Sequence, residues 1–163
     1  MNKHIAVYPG SFDPITNGHL DIIHRGLEVF DAVIIAVAQN SEKKGLFSID
    51  ERISMIRETV GDDPRLRVDT FDGLLVEYVV NQGSRVILRG LRAVSDFEYE
   101  FQIAQMNHTV ANQVETLFMM TAVPYGYLSS SIVKEVASLG GEIDSFVPLP
   151  VREALQKQFA KPS

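Results

Sequence analysis

With 163 residues, 45% of them hydrophobic, the chain can bury one core of ordinary size. It has no Cys, which excludes disulfides and thiolate metal sites, and its four scattered His argue against structural zinc. The net charge of −6 argues against binding a nucleic acid backbone, which takes many Lys and Arg acting together, but allows a small anion in a cleft where a few cations gather.

Short apolar runs alternate with longer amphipathic ones. The run over 5–8 predicts a first strand; it is too short for the hydrophobic part of a signal peptide, no segment approaches the length of a membrane span, and a soluble cytoplasmic protein is expected. Leu20, Ile23, Leu27 and Phe30 share one stripe and predict a helix over 19–30. The strand over 32–38 is continuously apolar, as a strand covered on both faces should be. Ser48 is a good N-cap for a helix over 49–60. There follow a strand over 66–70, a helix over 73–81, a strand over 85–88, a helix over 96–110 and a strand over 116–122. A helix over 131–139, stopped by Gly140 and Gly141, and a last helix from about 151 to 159 complete the set.

No repeat, low-complexity tract or linker interrupts this pattern, so one domain over 1–163 is expected, with C-terminal helices from about 131 onward. Alternating strand and helix means a parallel sheet with right-handed crossovers: a doubly wound, five-stranded α/β fold. Ligands on such sheets bind beyond the carboxyl ends of the strands, where the winding reverses. In the strand order 3-2-1-4-5, the loops after Tyr8 and after Leu88 open into one crevice.

The first of these loops reads "YPGSFDPITNGH". It is neither a P-loop nor a dinucleotide fingerprint. Gly10 lets the backbone approach a ligand, Pro9 and Pro14 limit the loop's freedom, and Thr16 or Asn17 can cap the next helix. His19 falls in that helix's first turn, where unpaired N–H groups and the positive dipole end favour phosphate. The same dipole depresses its pKa unless an anion is bound, which suits a hydrogen-bond donor; the plainer reading is a turn whose His packs or caps. His24 lies on another face and is read as structural.

"RVILRGLRAVSDFEYE" sets Arg89 at a strand end, Gly90 at the turn and Arg92 three residues after Arg89. Two guanidinium forks suit a phosphate-bearing ligand, the alternative being a solvated pair bridged to Asp96 or Glu98. Tyr99 and Glu100 are placed to reach a base or ribose, or simply to sit on the helix surface. In "YGYLSSSIVKE", Ser129, Ser130 and Ser131 stand at a helix mouth with Lys134 one turn inside: a cradle for a polyphosphate, or a redundant cap. Lys43 and Lys44 follow the second strand, where most such pairs are merely solvated. No Ser/His/Asp arrangement and no dense carboxylate cluster is legible. Donors without an evident base fit phosphoryl or nucleotidyl transfer, in which positioning and charge stabilisation do most of the work.

From about Ile5 to beyond Lys134, these three stretches, in this order and spacing, resemble the bacterial phosphopantetheine adenylyltransferases, a branch of the nucleotidyltransferase superfamily that carries an HxGH motif. The resemblance implies a Rossmann-like fold and transfer of AMP from ATP to 4′-phosphopantetheine, giving dephospho-CoA and pyrophosphate, with Mg²⁺ accompanying the nucleotide and no metal held by protein side chains. It implies that His19 steadies charge developing on the α-phosphate, with Lys43 and Arg92 as further catalytic residues. Ser11, Phe12, Gly18, His19, Gly90, Leu91, Arg92 and Glu100 would line the ATP site, and Tyr125, Gly126, Tyr127, Leu128, Ser129, Ser130 and Ser131 would close around it. Ser11, Lys43, Leu75, Arg89 and Asn107 would bind the acceptor. The superfamily's first His is Thr16 here, and Ser11 stands where Thr is also common. No nucleic acid or membrane partner is implied, and a homohexamer is. The rivals are a sister adenylyl- or cytidylyltransferase acting on nicotinamide mononucleotide or glycerol phosphate, and a non-catalytic nucleotide sensor.

Overall fold

The computed structural model describes residues 4–39 and 44–160. Lys43 lies outside them. The elements run β1 (Ile5–Gly10), α1 (Asn17–Val29), β2 (Ala32–Ala38), α2 (Ile49–Val60), β3 (Leu66–Phe71), α3 (Leu75–Asn81), β4 (Val86–Leu91), α4 (Val94–Val110), β5 (Glu115–Met120), a 3-10 turn (Val123–Tyr125), α5 (Ser130–Ser138) and α6 (Leu149–Phe159). All four strand pairings are parallel, in the order β3-β2-β1-β4-β5, which is the doubly wound arrangement expected.

The central strands are apolar along their length because both faces are covered. One face packs Ala6, Tyr8, Val33 and Ile35 against Ile22 and Ile23 of α1, Ile56 of α2, Val133 of α5 and Leu155 of α6. The other packs Val7, Ile34, Ala36 and Ile87 against Val76 and Val79 of α3. Burying each of the Val, Ile and Leu side chains contributes roughly 1.5–3 kcal/mol. No helix among the described residues is long and apolar enough to cross a membrane.

Two departures from the sequence reading shape the crevice. First, β1 continues past Tyr8 to Gly10, but only on one side: it pairs with β2 as far as Gly10↔Val37, whereas its register with β4 stops at Val7↔Ile87. Pro9 has no N–H to give to a ladder, and from Tyr8 onward the two central strands part. Second, β4 runs three residues beyond Leu88, because β5 pairs with it through Arg89↔Phe118 and Gly90↔Met119 to Leu91↔Met120. Arg89 and Gly90 are therefore strand residues presented at the opening, not loop residues.

Candidate active site

The helix that carries His19 starts with a reciprocal cap. Thr16 is the N-cap of α1, its side chain accepts from the His19 backbone N–H, and His19 Nδ1 accepts the Thr16 backbone N–H at 3.0 Å. A ring nitrogen that accepts carries no proton, so the proton of the neutral imidazole sits on Nε2. The ring lines the largest cavity of the crevice, and Nε2 has no partner among the described residues. Burial, then the charges of Arg89 and Arg92, push the His19 pKa down from 6.5 to about 4. His19 is thus a neutral donor with a fixed tautomer at any pH well above 4. In a ring NMR titration of the ligand-free protein, its signals should stay unmoved near pH 6.5 and shift only as the pH approaches about 4; a midpoint at 6–7 would contradict this electrostatic reading.

Phe12 adopts a left-handed backbone conformation, φ 46°, rare for a bulky side chain and costing on the order of 1–3 kcal/mol. Burial offsets it. The ring is 1% exposed and lies 5.0 Å from His19 and 5.4 Å from Tyr8, centroid to centroid. Gly10, expected to let a ligand approach, lines the crevice and also makes room for this ring: a Cβ there would lie 3.1 Å from Phe12 Cε2.

The rest of the loop hangs on a buried ion cluster. The Asp13 carboxylate accepts the backbone N–H groups of Leu46 and Phe47 at 2.9 Å each and a proton of Lys134 Nζ at 3.0 Å. Arg52, 3% exposed, lies 3.4 Å from Asp13 and donates to the carbonyls of Phe47 and Ser11. Lys134, expected to add charge to a phosphate cradle, is therefore spent on Asp13 and is absent from the cavity wall. The three serines also divide. Ser129 caps α5 by accepting from the Ile132 N–H, Ser130 donates to the Pro14 carbonyl at 2.7 Å, and Ser131 is exposed and outside the cavity.

Both arginines reach the crevice already partnered by carboxylates of α4. Arg89 forms a fork with Glu100, Nε at 3.0 Å and Nη2 at 2.6 Å, and gives Nη1 to the Pro9 carbonyl. Arg92 bridges to Asp96 at 3.0 Å, the alternative left open by the sequence, and gives Nη1 to the Leu128 carbonyl. Each guanidinium has five N–H groups, so each keeps donors for a ligand.

Two cavities result. The first, of about 400 Å³, is walled by Ser11, Phe12, Gly18, His19, Gly90, Arg92, Glu100, Tyr125, Leu128, Ser129 and Ser130, all expected at the ATP site. Leu91, Gly126, Tyr127 and Ser131 do not line it. The second, of about 300 Å³, is walled by Ser11, Leu75, Arg89 and Asn107, the acceptor-side residues other than Lys43, together with apolar Phe71, Ile87 and Ile103. Pro9, Gly10, Ser11, Arg89, Tyr99 and Glu100 belong to both walls, so the cavities abut across the loop and the Arg89–Glu100 pair. Sequence reasoning missed Tyr8, Asp13 and Arg52. A polar Tyr ending an apolar strand was a usable signal for the first; the others became visible only with the packing.

Residues 7–136 match the model of the cytidylyltransferase-like family. The chain is 70% identical to the phosphopantetheine adenylyltransferase of Syntrophotalea carbinolica, over 98% of this chain and 96% of that protein. It is 68% identical to that of Geobacter metallireducens over 99% of each, and 67% identical to that of Geobacter sulfurreducens over the same shares. Identity at that level along the whole length, on a crevice built as described, leaves one conclusion: the chain belongs to the cytidylyltransferase-like family, within its phosphopantetheine adenylyltransferase branch.

Proposed function

We propose that the chain transfers the adenylyl group of ATP to 4′-phosphopantetheine, forming dephospho-CoA and pyrophosphate in coenzyme A biosynthesis. The observation that carries this reading is the join between the two cavities. One offers a neutral imidazole N–H, a guanidinium and a helix mouth to a nucleotide; the other offers apolar walls and the Asn107 carboxamide to a long amide-bearing arm; Ser11 and Arg89 stand where they meet.

An oxygen of the acceptor's phosphate attacks the α-phosphorus of ATP, a P–O bond forms, and the bond to the departing pyrophosphate breaks. The acceptor is already ionised, so no general base is required. His19 Nε2–H donates to the oxygens on which negative charge grows; the Thr16 N–H at Nδ1 keeps the proton on Nε2, and the low pKa leaves the ring uncharged. Arg92 steadies the nucleotide's phosphates, while Arg89 and Lys43 hold the acceptor's. Mg²⁺ travels with the nucleotide as part of that substrate. Among the described residues no group of three or more His, Asp or Glu is placed to hold a metal ion. The reading includes a cytoplasmic setting and assembly as a homohexamer; Phe97, Phe101, Met106 and Val110 of α4 are exposed apolar groups that further copies would cover.

Incubating the protein with ATP, Mg²⁺ and, separately, 4′-phosphopantetheine, nicotinamide mononucleotide or glycerol phosphate should release pyrophosphate with the first alone. Release with another acceptor would reassign the substrate. Tight ATP binding with no release from any of them would make the protein a nucleotide sensor.

A further inference from the structure

Tyr8 lies within β1, whose pairing with β2 continues to Gly10. It sits one position beyond the end of the β1–β4 register, where the strands have already parted. Its residue surface is 5% exposed, yet it forms part of the first cavity's wall. The ring is held edge-on by Phe12 at 5.4 Å and lies 6.3 Å from the His19 ring. Buried phenols ordinarily find a hydrogen-bond partner. The Tyr8 hydroxyl has none among the described residues, although the groups around it do: His19 Nδ1 is held by Thr16, Arg89 by Glu100 and Pro9, and Arg92 by Asp96 and Leu128. It shares this condition with His19 Nε2, the donor used in the mechanism.

Burial pushes the Tyr8 pKa up, and the opposing pull of Arg89 and Arg92 does not cancel it, so the phenol keeps its proton and can donate. The same two guanidiniums make this wall attractive to anions. We propose that the Tyr8 hydroxyl is a ligand-binding donor, unpartnered until the nucleotide arrives, that bonds a phosphate oxygen beside the bond supplied by His19. It adds a directional contact without adding charge. The assignment rests on ATP occupying the first cavity.

Tyr8→Phe deletes only the hydroxyl and keeps the ring against Phe12. Calorimetric titration of wild type and Y8F with Mg²⁺-ATP and with adenosine is the test. ATP should bind about tenfold more weakly or worse to the variant, adenosine equally well to both, and the melting temperature should not fall. Equal ATP affinity would overturn the proposal, and so would an equal loss with adenosine, which would tie the hydroxyl to the nucleoside or the fold. A wild-type chain that bound no ATP would sink the adenylyl-transfer reading itself, an outcome distinct from either of these.

Discussion

His19→Ala should lower turnover by ~10²–10³, the usual consequence of deleting one donor aimed at developing charge. The fold survives. The substitution removes half of the capping box on α1, costing on the order of 1 kcal/mol, while Thr16 still caps through its own side chain. His19→Gln separates the two roles. Gln at the third helical position can take over the bond to the Thr16 N–H, so H19Q should regain stability lost in H19A, but it has no rigid ring to carry a donor at the position of Nε2. Melting curves and steady-state kinetics on both variants check this. Turnover near wild type in a folded H19A would remove the imidazole from the mechanism, and kinetic recovery in H19Q would mean that the cap, not the donor, was what mattered.

The elements of this fold were legible because its central strands are apolar on both faces and α1, α2 and α5 carry clear stripes: the expected bounds of β2 and α2 coincide with those observed. Misses occurred where polar or cyclic residues enter a ladder. Pro9 and Gly10 read as loop but pair with Ala36 and Val37, and Arg89 and Gly90 read as loop but pair with β5. The 3-10 turn at Val123–Tyr125, between β5 and α5, has no periodicity to betray it. Within the site, motif spacing brought the right stretches to one crevice, since strand order decides which loops are neighbours. It did not apportion charge. Whether Lys134 faces a ligand or Asp13, and whether Arg92 is free or bridged to Asp96, depends on side-chain reach across elements far apart in the chain.

Asp13→Ala should be the most destabilising of the substitutions considered, by about 3–5 kcal/mol, because it strands a buried cation. Arg52 and Asp13 are 3% and 5% exposed, and the carboxylate also holds two backbone N–H groups and Lys134. Removing it unties the segment before α2 and α5 from the loop that carries Ser11 and Phe12, so activity should fall with stability. A substitution at Gly45 acts in the same direction: a Cβ there would run into the Arg52 guanidinium, so Gly45→Ala should loosen the cluster without removing a charge. The cluster also sets an acid limit. Burial raises the Asp13 pKa, but the N–H groups of Phe47 and Leu46, then Lys134 and Arg52, outweigh it and hold the carboxyl below its ordinary value. Between that native value and the unfolded one near about 3.9, the unfolded chain binds more protons. The contribution is therefore complete above about 3.9 and disappears as the pH falls through the native pKa. Denaturant melts of D13A, R52M and the double variant at pH 7 decide whether the pair is what counts. If it is, D13A/R52M recovers part of the stability lost in D13A, since no charge is then left uncompensated; losses that simply add would place the damage in the severed backbone bonds and not in the ion pair.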